Sequence, residues 1–304
     1  MNTKISSIIH HQSSTSTIRD YISLLKPRVM SLVVFTGLAG LLLAPGHIHP
    51  FIAGIAIFCI ALGSGASGAI NMWYERESDG LMKRTQNRPL PAGRIDADSA
   101  IEFAVILAGV SVFIMAVAVN YLAALLLLSA ICFYVFIYTV WLKTRTPQNI
   151  VIGGAAGAFP PLIGWAAVTG DLSMMPLLLF LIIFLWTPPH FWALALYRSD
   201  DYKNAGIPML PVVRGVKETK KQIIIYSVLL VFSSILPFLY HFSGKIYALG
   251  AVLLGAKFLQ HSLLVYKDNK EETAGKTSIA MFKFSIYYLF LLFTLLLVDK
   301  YAHW

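Results

Sequence analysis

A chain of 304 residues that is 57% hydrophobic and only 13% charged, with a mean hydropathy of +0.70, has more apolar surface than a soluble globule can hide. Its repeated apolar runs approach the 20 or so residues that span a bilayer, so the fold class expected is an all-α polytopic membrane protein. The net charge of +9 reads as membrane orientation rather than nucleic-acid binding, and two cysteines without metal-ligand spacing exclude a zinc site or a disulfide framework.

In chain order, residues 1–20 are Ser/Thr/His-rich with no apolar core before Tyr21, which predicts a disordered tail rather than a signal peptide. Lys4 and Arg19 are too few basic residues for a mitochondrial transit peptide, so a bacterial inner membrane is the expected location. Residues 21–304 then form one transmembrane domain. Nine spans are predicted, at about 29–44, 51–70, 100–118, 121–141, 149–168, 174–197, 222–241, 246–266 and 281–298. Of the 24 Lys and Arg residues, 21 fall before span 1 or in connections on the same side of the bilayer. Cytoplasmic loops carry that excess, so the amino terminus is expected inside, the carboxyl terminus outside and both long charged loops in the cytoplasm. Cys59 and Cys132 lie inside spans and read as small core residues.

The first charged loop follows span 2. If the helix runs on, Asn71, Glu75 and Asp79 stand at i, i+4 and i+8 and form one polar stripe suited to a hard cation. Lys83, Arg84 and Arg88 follow closely and place anion ligands beside it, the combination a magnesium diphosphate needs. The second loop, after span 6, repeats the pattern: Asp200 and Asp201 lie between Arg198 and Lys203, and Asp201 could face Glu75 and Asp79 if spans 2 and 6 face each other. The plainer reading is that both loops are solvated and their charges only set topology. A third segment, Trp186-Thr-Pro-Pro-His190-Phe-Trp192, lies inside span 6. Its two prolines are expected to kink the helix and open a pocket, in which His190 could ligate, carry a proton or bond across helices. A transporter would place its ionisable residues at mid-membrane, but here only Glu102, Lys257 and His190 lie in or near spans. A non-catalytic assembly subunit would need neither acidic cluster.

Asn71, Glu75, Asp79, Arg84, Thr85, Arg88, Pro89 and Gly93 together resemble the signature of the UbiA superfamily of intramembrane prenyltransferases. Within it, Tyr21 to Val29, Trp186 to Trp192, Asp201-Tyr202, Ala205 to Val213 and Ala280 to Leu289 resemble the branch that farnesylates haem B. The chain departs from the superfamily pattern in having Glu75 for Asp, Ser78 for an apolar residue, and Ala205 where a second Asp often follows Asp201. The resemblance implies transfer of the farnesyl group of farnesyl diphosphate to a haem B vinyl group, forming haem O. It implies Mg2+ on Asn71, Glu75, Asp79 and Asp201, with Lys83, Arg84, Arg88, Arg198 and Lys203 as diphosphate clamps. For haem it suggests His190, propionate contacts from Lys26 or Arg28, or stacking on Trp186 and Trp192. A haem A synthase would be the expected downstream partner, and the bilayer the medium. The rival within the superfamily is an enzyme acting on an aromatic quinone precursor.

Overall fold

The computed structural model describes residues 16–268 and 271–302, and among these all regular structure is helical. The expected tail over residues 1–15 lies outside the described residues. Residues 18–20 of that tail belong instead to a first helix, α1 (Ile18–Leu24), started by a capping box: Asp20 N donates to Thr17 Oγ1 at 3.3 Å, and Thr17 N donates to Asp20 Oδ2 at 3.2 Å. Ile18 and Ile22 are exposed on this helix, which is too short to cross a bilayer and is bent 55° away from α2 (Pro27–Leu43). Lys26 makes the bend. Pro27 disfavours the right-handed helical region for the residue before it, and Lys26 takes φ 53°, ψ 54° instead.

The remaining elements are α3 (Pro50–Tyr74), α4 (Arg76–Gly80), α5 (Ala97–Ala118), α6 (Tyr121–Cys132), a π-helical continuation (Phe133–Leu142), α7 (Asn149–Thr169), α8 (Met174–Tyr197), α9 (Ser199–Asn204), α10 (Leu210–Val213), α11 (Gly215–Leu239), α12 (Lys245–Lys267) and α13 (Glu271–Ala302). Eight helices are long and apolar enough to cross a membrane, or nine if the bent α1–α2 pair counts as one span. The expected spans coincide with them, but α11 and α13 begin several residues earlier than expected. Their first turns carry Lys and Glu, which are strong helix formers yet too polar to read as membrane-embedded.

The bundle is built around α7 and α8. Of the apolar windows, 67% of α7 and 61% of α8 is buried, against 22% of α5. α2, α3, α5, α6 and α7 share one core around Ile60, Leu127 and Ile163. α7, α8, α11, α12 and α13 share the other, around Leu179, Ile182, Leu230, Phe258 and Leu292, and α13 closes the ring by packing on α2. Between α2 and α7 the backbones touch, because a Cβ on Gly164 would overlap the Gly37 carbonyl oxygen and one on Gly40 would overlap the Pro161 backbone. Small residues permit this approach where lipid supplies no hydrophobic drive for association.

Pro188 and Pro189 do not interrupt α8, which runs unbroken from Met174 to Tyr197, and α7 likewise runs through Pro160 and Pro161. The Thr187 hydroxyl donates to the Ile183 carbonyl at 2.9 Å, and neighbouring helices bury Trp186, Thr187, Pro188, Pro189 and His190.

Replacing Gly164 with Ala should force α2 from α7 and lower stability by about 1–3 kcal/mol. A thermal melt of the detergent-solubilised variant checks this against Gly54→Ala, whose Cβ would meet nothing within 4 Å and which should not lower the midpoint.

Candidate active site

α3 ends at Tyr74 and α4 begins at Arg76, yet helical spacing survives the break. Glu75 N donates to Asn71 O at 3.0 Å and Asp79 N donates to Glu75 O at 2.8 Å, so Asn71, Glu75 and Asp79 keep the i, i+4, i+8 register expected of them. All three are buried: Asn71 is 3%, Glu75 8% and Asp79 1% exposed. Buried carboxylates must be paired. Glu75 Oε1 lies 2.5 Å from Lys143 Nζ and 2.8 Å from Asn71 Nδ2, while Asp79 Oδ2 lies 2.6 Å from Arg88 Nη1. Asn71 is fully engaged, since Nδ2 also donates to Thr139 Oγ1 at 3.0 Å and Oδ1 accepts from Lys26 Nζ at 2.7 Å.

The loop after α4 folds back because the Thr85 hydroxyl donates to the Asp79 carbonyl at 2.7 Å, which returns Arg88 to the Asp79 carboxylate. Arg94 Nε then reaches Asp20 Oδ1 at 2.8 Å and fastens the loop to α1. Lys26, between α1 and α2, faces this cationic cluster. Burial and the nearby Arg88 draw its ammonium down to about 7, with Lys143 adding to the shift, while Glu75 and Asp79 partly oppose it.

The second charged loop joins the first through Arg84, whose guanidinium lies over the Tyr202 ring at 5.4 Å and donates to its hydroxyl at 3.4 Å. α9 carries Asp201, which pairs at 3.7 Å with Arg198 and has its buried Oδ2 without a hydrogen bond. α3 and α8 meet largely through α7, which packs on both. Lys83, Lys203 and Arg28 are exposed and have no ion-pair partner among the described residues.

Thr139 and Lys143 were missed as site residues in the sequence. Lys143 reads there only as a topology charge, and nothing in its neighbourhood shows that the preceding π-helical turns direct it at Glu75. Asn149, at the start of α7, is also buried, with Nδ2 donating to Thr146 O at 2.6 Å and Oδ1 unpartnered.

The Trp186–Trp192 segment divides. His190 is stacked between Trp186 (4.2 Å) and Phe282 (4.6 Å), with Nδ1 2.6 Å from Ser285 Oγ, and Trp186 Nε1 donates to Ser285 O at 2.7 Å. These contacts hold α8 to α13 and leave Nε2 of His190 as its remaining ligating atom. Trp192 lies elsewhere, edge-on to Tyr226 of α11 at 5.3 Å, so the two tryptophans do not form one stacking platform.

The arrangement can hold a divalent cation and an anion together. Among the described residues no three His, Cys, Asp or Glu cluster as a protein-only metal site. The donor types, an amide and two carboxylates on the first loop and an Asp201 oxygen without a hydrogen bond on the second, suit Mg2+, which takes one or two carboxylates and completes its shell with water and phosphate oxygens.

The description of the UbiA prenyltransferase family matches residues 33–287. The chain belongs to that family. Among UbiA relatives, it is 57% identical over 281 residues to a protein from Rickettsia bellii named protoheme IX farnesyltransferase, covering 92% of this chain and 93% of the relative. It is also 57% identical to a protein of the same name from Parvibaculum lavamentivorans, covering 93% and 89% of the two chains. The UbiA fold is shared with digeranylgeranylglyceryl phosphate synthase (TM-score 0.76, 22% identity, 93% and 98% coverage). A UbiA homologue from Archaeoglobus fulgidus, solved with DMAPP and Mg2+ bound, also matches (TM-score 0.65, 17% identity, 90% and 99% coverage).

The Arg94–Asp20 contact should be pH-sensitive in one direction. Bonds first from Arg94 and then from Thr17 hold the Asp20 carboxyl at about 2, below its ordinary 3.8. Its stabilising effect is therefore complete above pH 4 and lost as pH falls toward 2. Hydrogen exchange of α1 amides should rise over that window, and Arg94→Gln should move the rise upward toward pH 4.

Proposed function

We propose that this protein transfers the farnesyl group of farnesyl diphosphate to a vinyl group of haem B, giving haem O and diphosphate. The observation that carries the reading is 54–57% identity, over more than nine tenths of the chain, to proteins named protoheme IX farnesyltransferase. The same relatives disfavour an aromatic quinone precursor as acceptor. The two charged loops would face the cytoplasm of a bacterial cell, with the amino terminus inside, in keeping with the distribution of Lys and Arg. The product would pass to a haem A synthase.

Asn71, Glu75, Asp79 and Asp201 are the residues that would hold Mg2+, which when bound supplies positive charge to the departing diphosphate. Lys143 and Arg88, now paired with Glu75 and Asp79, are within reach of the same region and are free to turn to phosphate oxygens once a cation satisfies those carboxylates. Arg84 and Lys26 add charge from two further directions, while Arg198, Lys83 and Lys203 meet the diphosphate at the exposed edge. The C1–O bond of the farnesyl group breaks with its electron pair on the diphosphate. The vinyl π electrons form the new bond to C1, and water adds to the resulting porphyrin-stabilised cation and loses a proton to solvent. No strong general base is required, and the buried apolar bundle shields the allylic cation from water until the vinyl group has reacted.

Incubation of the detergent-solubilised protein with haem B, farnesyl diphosphate and Mg2+ should yield haem O by chromatography and mass, and a chelator should abolish it. Asp79→Asn should remove turnover with folded protein retained. Lys143→Ala should lower the rate by about 100-fold to 1000-fold, the range for removing one fixed electrostatic donor. Full activity of Asp79→Asn, or prenylation of a hydroxybenzoate in place of haem, would overturn the reading.

A further inference from the structure

Two cavities lie on the outer wall of the α11–α12 hairpin, away from the site described above. The first, about 340 Å3, is lined by Arg214, Lys217, Glu218, Lys221 and Tyr266. The second, about 370 Å3, runs down one face of α12 from Lys267 past Leu264, Leu263, Gln260 and Leu259 to Ala256. Eleven residue steps of helix make that groove about 16 Å long. The two meet α12 at neighbouring positions of its last turn, Tyr266 lining the first and Lys267 the second.

The charges in the first cavity work against their own helix. Arg214 caps the amino end of α11, and Lys217 and Lys221 lie in its first two turns, where the helix dipole favours anions. Lys217 and Lys221 are also like charges at i, i+4. All three are exposed and none has an ion-pair partner among the described residues, while Glu218 accepts a hydrogen bond from Gln222 Nε2 at 2.8 Å. A bound anion would offset both penalties. The groove beside it asks for something else, since Leu263 and Leu264 are about half exposed and the wall is largely apolar.

We infer that this wall binds one anionic phospholipid, its phosphate among Arg214, Lys217 and Lys221 and an acyl chain along the α12 groove. A soluble phosphate would leave the groove unused, and an apolar helix would leave three cations unpaired. A lipid satisfies both, and cationic pockets at the ends of membrane helices suit such headgroups. Its depth fits, because the Lys220 ammonium donates to the Asp268 carbonyl and so places the start of α11 level with the end of α12. That end of the bundle also carries the second charged loop, whose α10 packs on both α11 and α8. The lipid would therefore buttress the wall supporting the loop that bears Asp201.

The full chain, reconstituted in nanodiscs of equal phosphatidylglycerol and phosphatidylcholine and released for native mass spectrometry, should retain phosphatidylglycerol over phosphatidylcholine by about ten-fold. A double variant, Lys217→Gln with Lys221→Gln, should bring that ratio near one, whereas Lys217→Arg with Lys221→Arg should keep it. Leu263→Trp, which fills the groove, should also lower it, and Lys245→Gln at the other end of α12 should not. The two arginine substitutions keep the charge, so their retention separates loss of the site from loss of the fold. Equal retention by the wild type and the glutamine double variant would overturn the inference. So would release of the lipid by millimolar inorganic phosphate, which would mark a site for a soluble anion.

Discussion

Burying a carboxylate costs several kcal/mol unless a cation or a set of donors meets it, and the end of this bundle that carries Asn71, Glu75 and Asp79 is organised by that cost. Glu75 is met by Lys143 from the end of the α6 span, and Asp79 by Arg88 from its own loop. Removing either cation alone would leave a buried charge uncompensated, a loss of roughly 3–5 kcal/mol. On the proposed reading a divalent cation would replace those partners, because it brings two charges to the same oxygens, and Lys143 and Arg88 would then be available to phosphate oxygens. The ion pairs thus satisfy both buried carboxylates within the chain itself.

The frame around this chemistry is rigid for a different reason. α2 and α7 touch backbone to backbone at Gly37, Gly40, Pro161 and Gly164, and α8 is joined to α13 by the Trp186, His190 and Ser285 bonds. One contact fixes the helix that follows Lys26. The other fixes the helix that leads to Arg198 and Asp201. Neither depends on charge, so the helices that deliver the two charged loops are held independently of the ion pairs at the site.

The spans were legible in the sequence because a bilayer demands an apolar run of nearly fixed length, and the helix ends fall close to the expected ones wherever that run ends at charge or proline. The Asn71, Glu75, Asp79 stripe was legible because all three side chains belong to consecutive helical turns. What escaped depends on contacts between distant segments. Lys143 meets Glu75 from the end of the π-helical turns that continue α6, and no local pattern in Phe133–Leu142 announces that change of pitch. The paired prolines do not end the helix: with the Thr187 hydroxyl on Ile183 O and neighbouring helices packed against the segment, α8 runs on from Met174 to Tyr197.

The two acidic loops are unequal, and the inequality follows from their partners. The first is fastened at both ends, by Asn71 to Thr139 and Lys26 and by Arg94 to Asp20, so its carboxylates are held before any ligand arrives. In the second, Asp201 has one long contact to Arg198 and a buried oxygen with no hydrogen bond. That oxygen gains most from a cation. The first loop is therefore the more tightly fastened of the two, and the second is tied to it through Arg84 and Tyr202. Glu in place of Asp at position 75 fits the same division, since one more methylene carries its carboxylate far enough to keep both Asn71 and Lys143 while the backbone turns from α3 into α4.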